Sequence, residues 1–272
     1  MTDEHRVAFA ELLQHYGDNP PLDRACALLA AEEQPGVLPE RIVSRLDIIG
    51  EQIHVPDGAN LFEAVARINH YLFEKLGLQG DSDDYDHPRN SMLDQVLDRR
   101  KGLPILLSVV YIELARRAGV AVDGVAFPGH FLVSPQPRDG ARERFYLDPF
   151  HGGEILSCSR LSSRLNKMGA RRVDRYLAPS SSRFILIRIH NNLKRAYLQR
   201  DNLSGALRCV ERLLLLDPAD QQERRDRGLL LARIGEDRAA AGELELYLQK
   251  NPEAPDKALI AQQIALLQRL EE

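Results

Sequence analysis

Cysteine, charge of one sign and long apolar runs are all scarce in this 272-residue chain. Its three cysteines, Cys26, Cys158 and Cys209, are odd in number, far apart and in no metal-ligand spacing. That argues against a disulfide framework and a thiolate metal cluster, and it suits a reducing compartment. The net charge is only −4 with 28% charged residues, so the footprint of a nucleic-acid binder is missing. No apolar run approaches the ~18–20 residues of a membrane span, and the first residues show no basic-then-apolar leader. A cytoplasmic protein with no nucleic-acid and no membrane partner is expected. What is present is 44% hydrophobic residues, ample for a real core.

The clearest architectural signal is a repeat. Asp217-Pro218 and Asn251-Pro252 lie 34 residues apart, the period of a tetratricopeptide (TPR) unit. Counting back from each proline gives two registers that agree. The first places Leu193, Tyr197, Ala206, Val210 and Leu213 at helix-packing positions. The second places Gly228, Leu231, Ala240, Leu244 and Tyr247 there. The small residues Ala206 and Ala240 fall where paired helices approach closest, and each proline stops a second helix. A further helix over 256–270 caps the array.

Upstream, residues 4–78 show apolar spacing near 3.6 and read as helices. Asn60 is the expected N-cap and Gly77 the expected C-cap of the last of them. An acidic loop over 80–89 and a helix over 91–100 lead to a turn at Lys101-Gly102. Beyond Gly119 the pattern changes to strands over 121–127, 130–134 and 143–147, with a turn over 135–140. Residues 160–183 carry seven basic residues against the single acid Asp174, and read as a solvated connector. Helices followed by a short antiparallel sheet make an α+β domain.

A set of ordered motifs runs through the middle of the chain. It comprises Arg89-Asn90-Ser91, the run from Arg99 through Lys101-Gly102-Leu103-Pro104, and a leucine-rich helix ending Ala115-Arg116-Arg117-Ala118-Gly119. Pro128-Gly129-His130-Phe131-Leu132 and Asp148-Pro149-Phe150-His151-Gly152-Gly153 complete it. Together they resemble the bacterial SirB-type family, which joins a transglutaminase-like domain to C-terminal TPR repeats. The resemblance implies a helical N-terminal region (1–78) and a papain-like core (89–158) within a transglutaminase-like domain, 1–178. An all-α TPR domain, 179–272, follows.

Laid on a transglutaminase-like Cys-His-Asp frame, His130 and Asp148 match two members, and Pro104 stands in the nucleophile's place. A thiol there is activated by the helix N-terminus and an adjacent imidazolium. Proline has no ionisable group, and its fixed φ suits the first helical turn. Ser108, one turn along, is a weak substitute nucleophile, better read as a packing residue bonded to the carbonyl one turn back. Cys158 reads as an ordinary half-buried thiol. Arg89, Asn90, Asp94 and His151 are candidates for lining a ligand cleft. His130, Asp148 and His151 make a conceivable two-imidazole, one-carboxylate set. Asp148 and His151 are, however, three apart across a proline and form no tight ligand motif, so neither metal nor cofactor is expected. The resemblance implies a fold more than an activity, and these residues leave two functions open. One is a non-catalytic regulatory protein that holds a protein or peptide partner on its TPR surface. The other is a slow hydrolase or acyltransferase working through His130 and Asp148.

Overall fold

The apolar spacing of the N-terminal region builds four helices in the computed structural model, which describes residues 2–137 and 144–270. They are α1 (Thr2–Tyr16), α2 (Leu22–Glu33), α3 (Pro39–Glu51) and α4 (Leu61–Asn69). Phe9, Leu13, Ala27, Leu29, Ile42 and Leu46 bury the shared face. Asn60 caps α4 through a capping box: its side chain accepts from the Glu63 amide while Glu63 accepts from the Asn60 amide. Helix α4 does not stop at its end but continues as a π-helical turn, His70–Lys75. Gly77, just beyond, takes the left-handed φ of 73° expected of a C-cap glycine.

The expected acidic loop and the Lys101-Gly102 turn contain strands. β1 (Gln79–Gly80) pairs in parallel with β2 (Lys101–Gly102). Two-residue strands carry too little period for sequence patterning to register. Between them lie a 3₁₀ turn, Pro88–Ser91, and α5 (Leu93–Arg99), shorter at both ends than expected. Arg100 ends α5 at φ 58°.

Helix α6 (Pro104–Arg117) begins at Pro104, its first helical residue, and is buried along nearly all its length. Its last turn is tied by charge: Arg117 reaches Asp23 of α2, Asp47 of α3 and Glu113 at 2.8 Å each. Four antiparallel strands follow in the order β3 (Val122–Val125), β4 (Leu132–Pro135), β5 (Phe145–Asp148) and β6 (Glu154–Ser157). The fold class is therefore α+β, and β6 is a strand that the sequence pattern did not reveal. Residues 138–143, with most of the expected 135–140 turn and Glu143 of the expected third strand, lie outside the described residues.

The supposed connector is not simply a solvated link. It holds α7 (Cys158–Lys167) and α8 (Val173–Tyr176). Leu161 and Leu165 of α7 are buried against Val125, Phe127, Leu132 and Tyr146 of the sheet region. Two apolar residues per three turns sufficed to dock a helix whose basic residues face outward.

The chain divides into two compact units, Met1–Ile189 and His190–Glu272. The division lies beyond residue 178 because the intervening segment belongs to the first unit. Ser180 donates to the Gly124 carbonyl at 2.8 Å, and Arg183 donates to that of Asp18 at 2.9 Å. The division falls inside α9 (Ser182–Leu198). Then come α10 (Leu203–Leu216), α11 (Gln221–Arg233), α12 (Asp237–Lys250) and α13 (Lys257–Leu270). All ten residues assigned to TPR packing positions are buried. A Cβ at Gly228 would stand 2.7 Å from Leu244, so this helix crossing needs glycine. Helices α10 and α12 end just before Pro218 and Pro252.

Candidate functional site

His130 is placed by a tight turn. Pro128 supplies the preset φ, Gly129 takes φ 69°, and the His130 amide closes the turn onto the Phe127 carbonyl at 2.9 Å. Asp148 is the last residue of β5, and its carboxylate caps a three-residue 3₁₀ turn, Pro149–His151. Its Oδ1 accepts from the amides of Phe150 (3.1 Å) and His151 (3.3 Å). That leaves Oδ2 for side chains. His130 Nε2 and His151 Nδ1 each lie 2.8 Å from it.

An ionised carboxylate only accepts, so both ring nitrogens donate, leaving His130 Nδ1 and His151 Nε2 as the free positions. Burial pushes the Asp148 carboxyl up. The hydrogen bonds and charges of the two imidazoles outweigh this and hold it below the ordinary carboxylate range. The two rings differ in setting: the His130 side chain is 14% exposed and that of His151 62%.

Sequence spacing had set the His130, Asp148 and His151 trio aside, yet the structure brings it together. The reason is local. A 3₁₀ turn has three residues per turn, so side chains at i and i+3 eclipse, and His151 folds back over its own capping aspartate. An aspartate before proline, with histidine three residues on, was the signal to read.

The surrounding shell is held by close packing. A Cβ on Gly80 would stand 2.5 Å from the Phe150 ring, so β1 approaches this turn only because residue 80 is glycine. Phe150 also meets the rings of His130 and Tyr85 edge-on, each with centroids 6.0 Å apart. Asn69, where α4 becomes the π turn, donates to the Gly153 carbonyl at 3.0 Å and accepts from the Tyr111 hydroxyl at 2.9 Å. The Gly152-Gly153 pair has the positive φ values expected, 67° and 76°. An open cleft of about 500 Å³ adjoins the trio. Asp148, His151 and Glu154 line it with the α7 cations Arg160, Arg164 and Lys167. Arg160 pairs with Glu154 at 2.6 Å, and Arg164 lies over the Phe127 ring at 5.3 Å.

Asn90 is fully buried. It donates to the carbonyls of Asp84 and Tyr85 and accepts from Arg99, so its amide serves the loop. Arg89 pairs with Asp84 at 3.0 Å. Asp94 accepts from Gln34 and Gln95. Ser108 is fully buried, and its hydroxyl lacks the expected bond to a carbonyl one turn back; it has no hydrogen-bond partner among the described residues. Pro104 is buried at the helix start. Cys158 begins α7, half-buried, with its sulfur 3.8 Å from the Ser162 hydroxyl. No helix among the described residues is long and apolar enough to cross a membrane.

Known proteins align with these two units. Residues 40–191 match the model of the transglutaminase-like superfamily, and residues 193–265 match that of the tetratricopeptide repeat. A UPF0162 protein of Xylella fastidiosa is 44% identical over 194 residues, 69% of this chain and 68% of that protein. One from Vibrio cholerae is 32% identical over 219 residues, covering 79% of this chain and 78% of its own. One from Pseudomonas aeruginosa is 30% identical over 255 residues, 91% of each.

Proposed function

We infer the role of this chain from its kinship: it belongs to the SirB-type family of bacterial UPF0162 proteins, a transglutaminase-like domain followed by tetratricopeptide repeats. We propose that it is a non-catalytic, regulatory binding protein of the cytoplasm. Its repeat module takes a protein or peptide partner, and its transglutaminase-like cleft recognises a ligand without cleaving it. Pro104 carries this reading. It starts α6 well, and it offers neither a proton nor a nucleophilic electron pair where a transglutaminase-like Cys-His-Asp frame calls for a thiol. The next hydroxyl along the helix, Ser108, is sealed from solvent. Stacked helical pairs whose packing positions are already filled leave their outer faces for a partner segment.

The test has two arms. Purified full-length protein incubated with ester, amide and transamidation probes is expected to show no turnover above a heat-denatured control. A partner captured by the intact chain is expected to be lost on substitution at exposed repeat positions such as Gln222, and kept in His130→Ala. Turnover in the first arm, or partner loss in His130→Ala alone, overturns the reading.

A second reading rests on the His130–Asp148 pair itself. An oriented imidazole on an ionised carboxylate is the arrangement of a general base, which contributes about 10²–10⁴-fold. A slow hydrolase or acyltransferase would then act through a water, a substrate group or Ser108. Turnover abolished by His130→Ala establishes it; turnover unchanged by that substitution removes it.

A further inference from the structure

We propose that His130, Asp148 and His151 form a binding site for one divalent transition ion, zinc before others. One ligand atom from each of the three residues lies within 4.8 Å of the others, and His130 Nε2 and His151 Nδ1 each stand 2.8 Å from Asp148 Oδ2. Two imidazoles and a carboxylate are three of the four corners of a zinc site of the open type. The donor set disfavours magnesium and calcium, which take oxygen ligands.

With metal–ligand bonds of ~2.0–2.1 Å, tetrahedral neighbours sit roughly 3.3 Å apart. The two 2.8 Å contacts must therefore open by about half an ångström, and the two ring nitrogens must come to that same separation. His151 has the freedom to supply that movement, being 62% exposed on a three-residue turn followed by Gly152-Gly153. The carboxylate is already aimed. Two backbone amides hold Oδ1, so Oδ2 faces the imidazoles, which is the outer-shell support that metal sites use.

Proton accounting also closes. Each neutral imidazole moves its proton from the nitrogen facing Asp148 to its other ring nitrogen and gives the freed lone pair to the ion. No co-reactant is needed. The cleft of about 500 Å³ opens beside Asp148 and His151, with Arg164 and Lys167 on its wall. An ion with a free position there, beside those cations, suits an anionic ligand such as a carboxylate. Such a site needs no catalytic activity in the chain.

The experiment titrates the full-length, chelator-stripped chain with Zn²⁺ against a chromophoric competitor. One site per chain is expected, undisturbed by excess Mg²⁺ or Ca²⁺. His151→Ala, at an exposed position that leaves the core intact, is expected to weaken binding by at least ~10-fold. His54→Ala, at an exposed histidine outside the trio, is expected to leave it unchanged. X-ray absorption at the zinc edge is expected to show two nitrogens and at least one oxygen at ~2.0–2.1 Å. The absence of a saturable site, or one equally tight in His151→Ala, overturns the proposal.

Discussion

The two units of this chain bury their apolar faces by different means. In the second, regular helices repeat one register. Ala206 and Ala240 stand at equivalent positions of the repeat, each 0% exposed, and a proline follows each second helix. In the first, the site is assembled from departures from regularity: a π turn, two 3₁₀ turns, a left-handed arginine and glycines pressed against rings. The lesson is that regular packing suffices for a repeated helical array. Bringing an imidazole from one turn and a second from another onto one carboxylate requires irregular backbone.

The strongest attempt to break this contrast is Leu244→Ala, in the fully buried heart of the repeat core. A cost of about 2–5 kcal/mol is expected, seen in denaturant unfolding and as faster hydrogen exchange across α11, α12 and α13. The His130 and His151 ring signals are expected to stay put; if they shift, the units are not separable in the way described.

Asp148→Asn comes next. It keeps the shape but removes the charge to which two imidazoles and two amides are bonded. About 1.5–3 kcal/mol is expected for a charged hydrogen-bond acceptor. The loss should be accompanied by a changed tautomer pattern at His151 in nitrogen-resolved NMR. No such change would mean that the trio is not held through this oxygen.

Acid provides a third test, read at a carboxyl of the first unit. Burial pushes the Asp81 carboxyl up, but the Arg99 guanidinium and neighbouring hydrogen bonds outweigh it and hold it below the ordinary range. A carboxyl depressed in the fold contributes stability above its unfolded pKa of ~3.9 and loses it as pH falls through the folded value. Stability of the first unit is thus expected to drop as pH falls below about 4. Asp81→Asn should flatten that slope, read from thermal melts at a series of pH values.

The smallest effect is expected at helix starts, where the units should not differ. Asn60 caps α4 and Asn202 caps α10, each through its side-chain oxygen. Alanine at either is expected to cost about 1 kcal/mol by denaturant unfolding. A large disparity would show that the caps are not equivalent.

Legibility followed the same divide. Leu193, Tyr197, Gly228 and Leu231 were readable because a helix period repeated at 34 residues samples the same faces twice. Asn60, Gly77 and Pro104 were readable because capping chemistry is local. The β1–β2 pair, with two residues in each strand, was not, since a period-two pattern needs more positions to register. Helix α7 was obscured by its arginines, with only Leu161 and Leu165 marking its buried stripe. Asn90 is a cleft candidate by its place before the Gly102 turn; that its amide bonds the Asp84 and Tyr85 carbonyls is a contact no local pattern marks.

By itself, the sequence settled the α+β class, the repeat, the residues that fill its core, and the absence of a thiol at the start of α6. Each depends on chemistry within a few residues or on a period along one helix. Only tertiary structure decided that His151 joins His130 on Asp148, and that a basic-walled cleft lies beside them. Those contacts join a turn, a strand end and a helix separated along the chain, and no local preference encodes the distance between them.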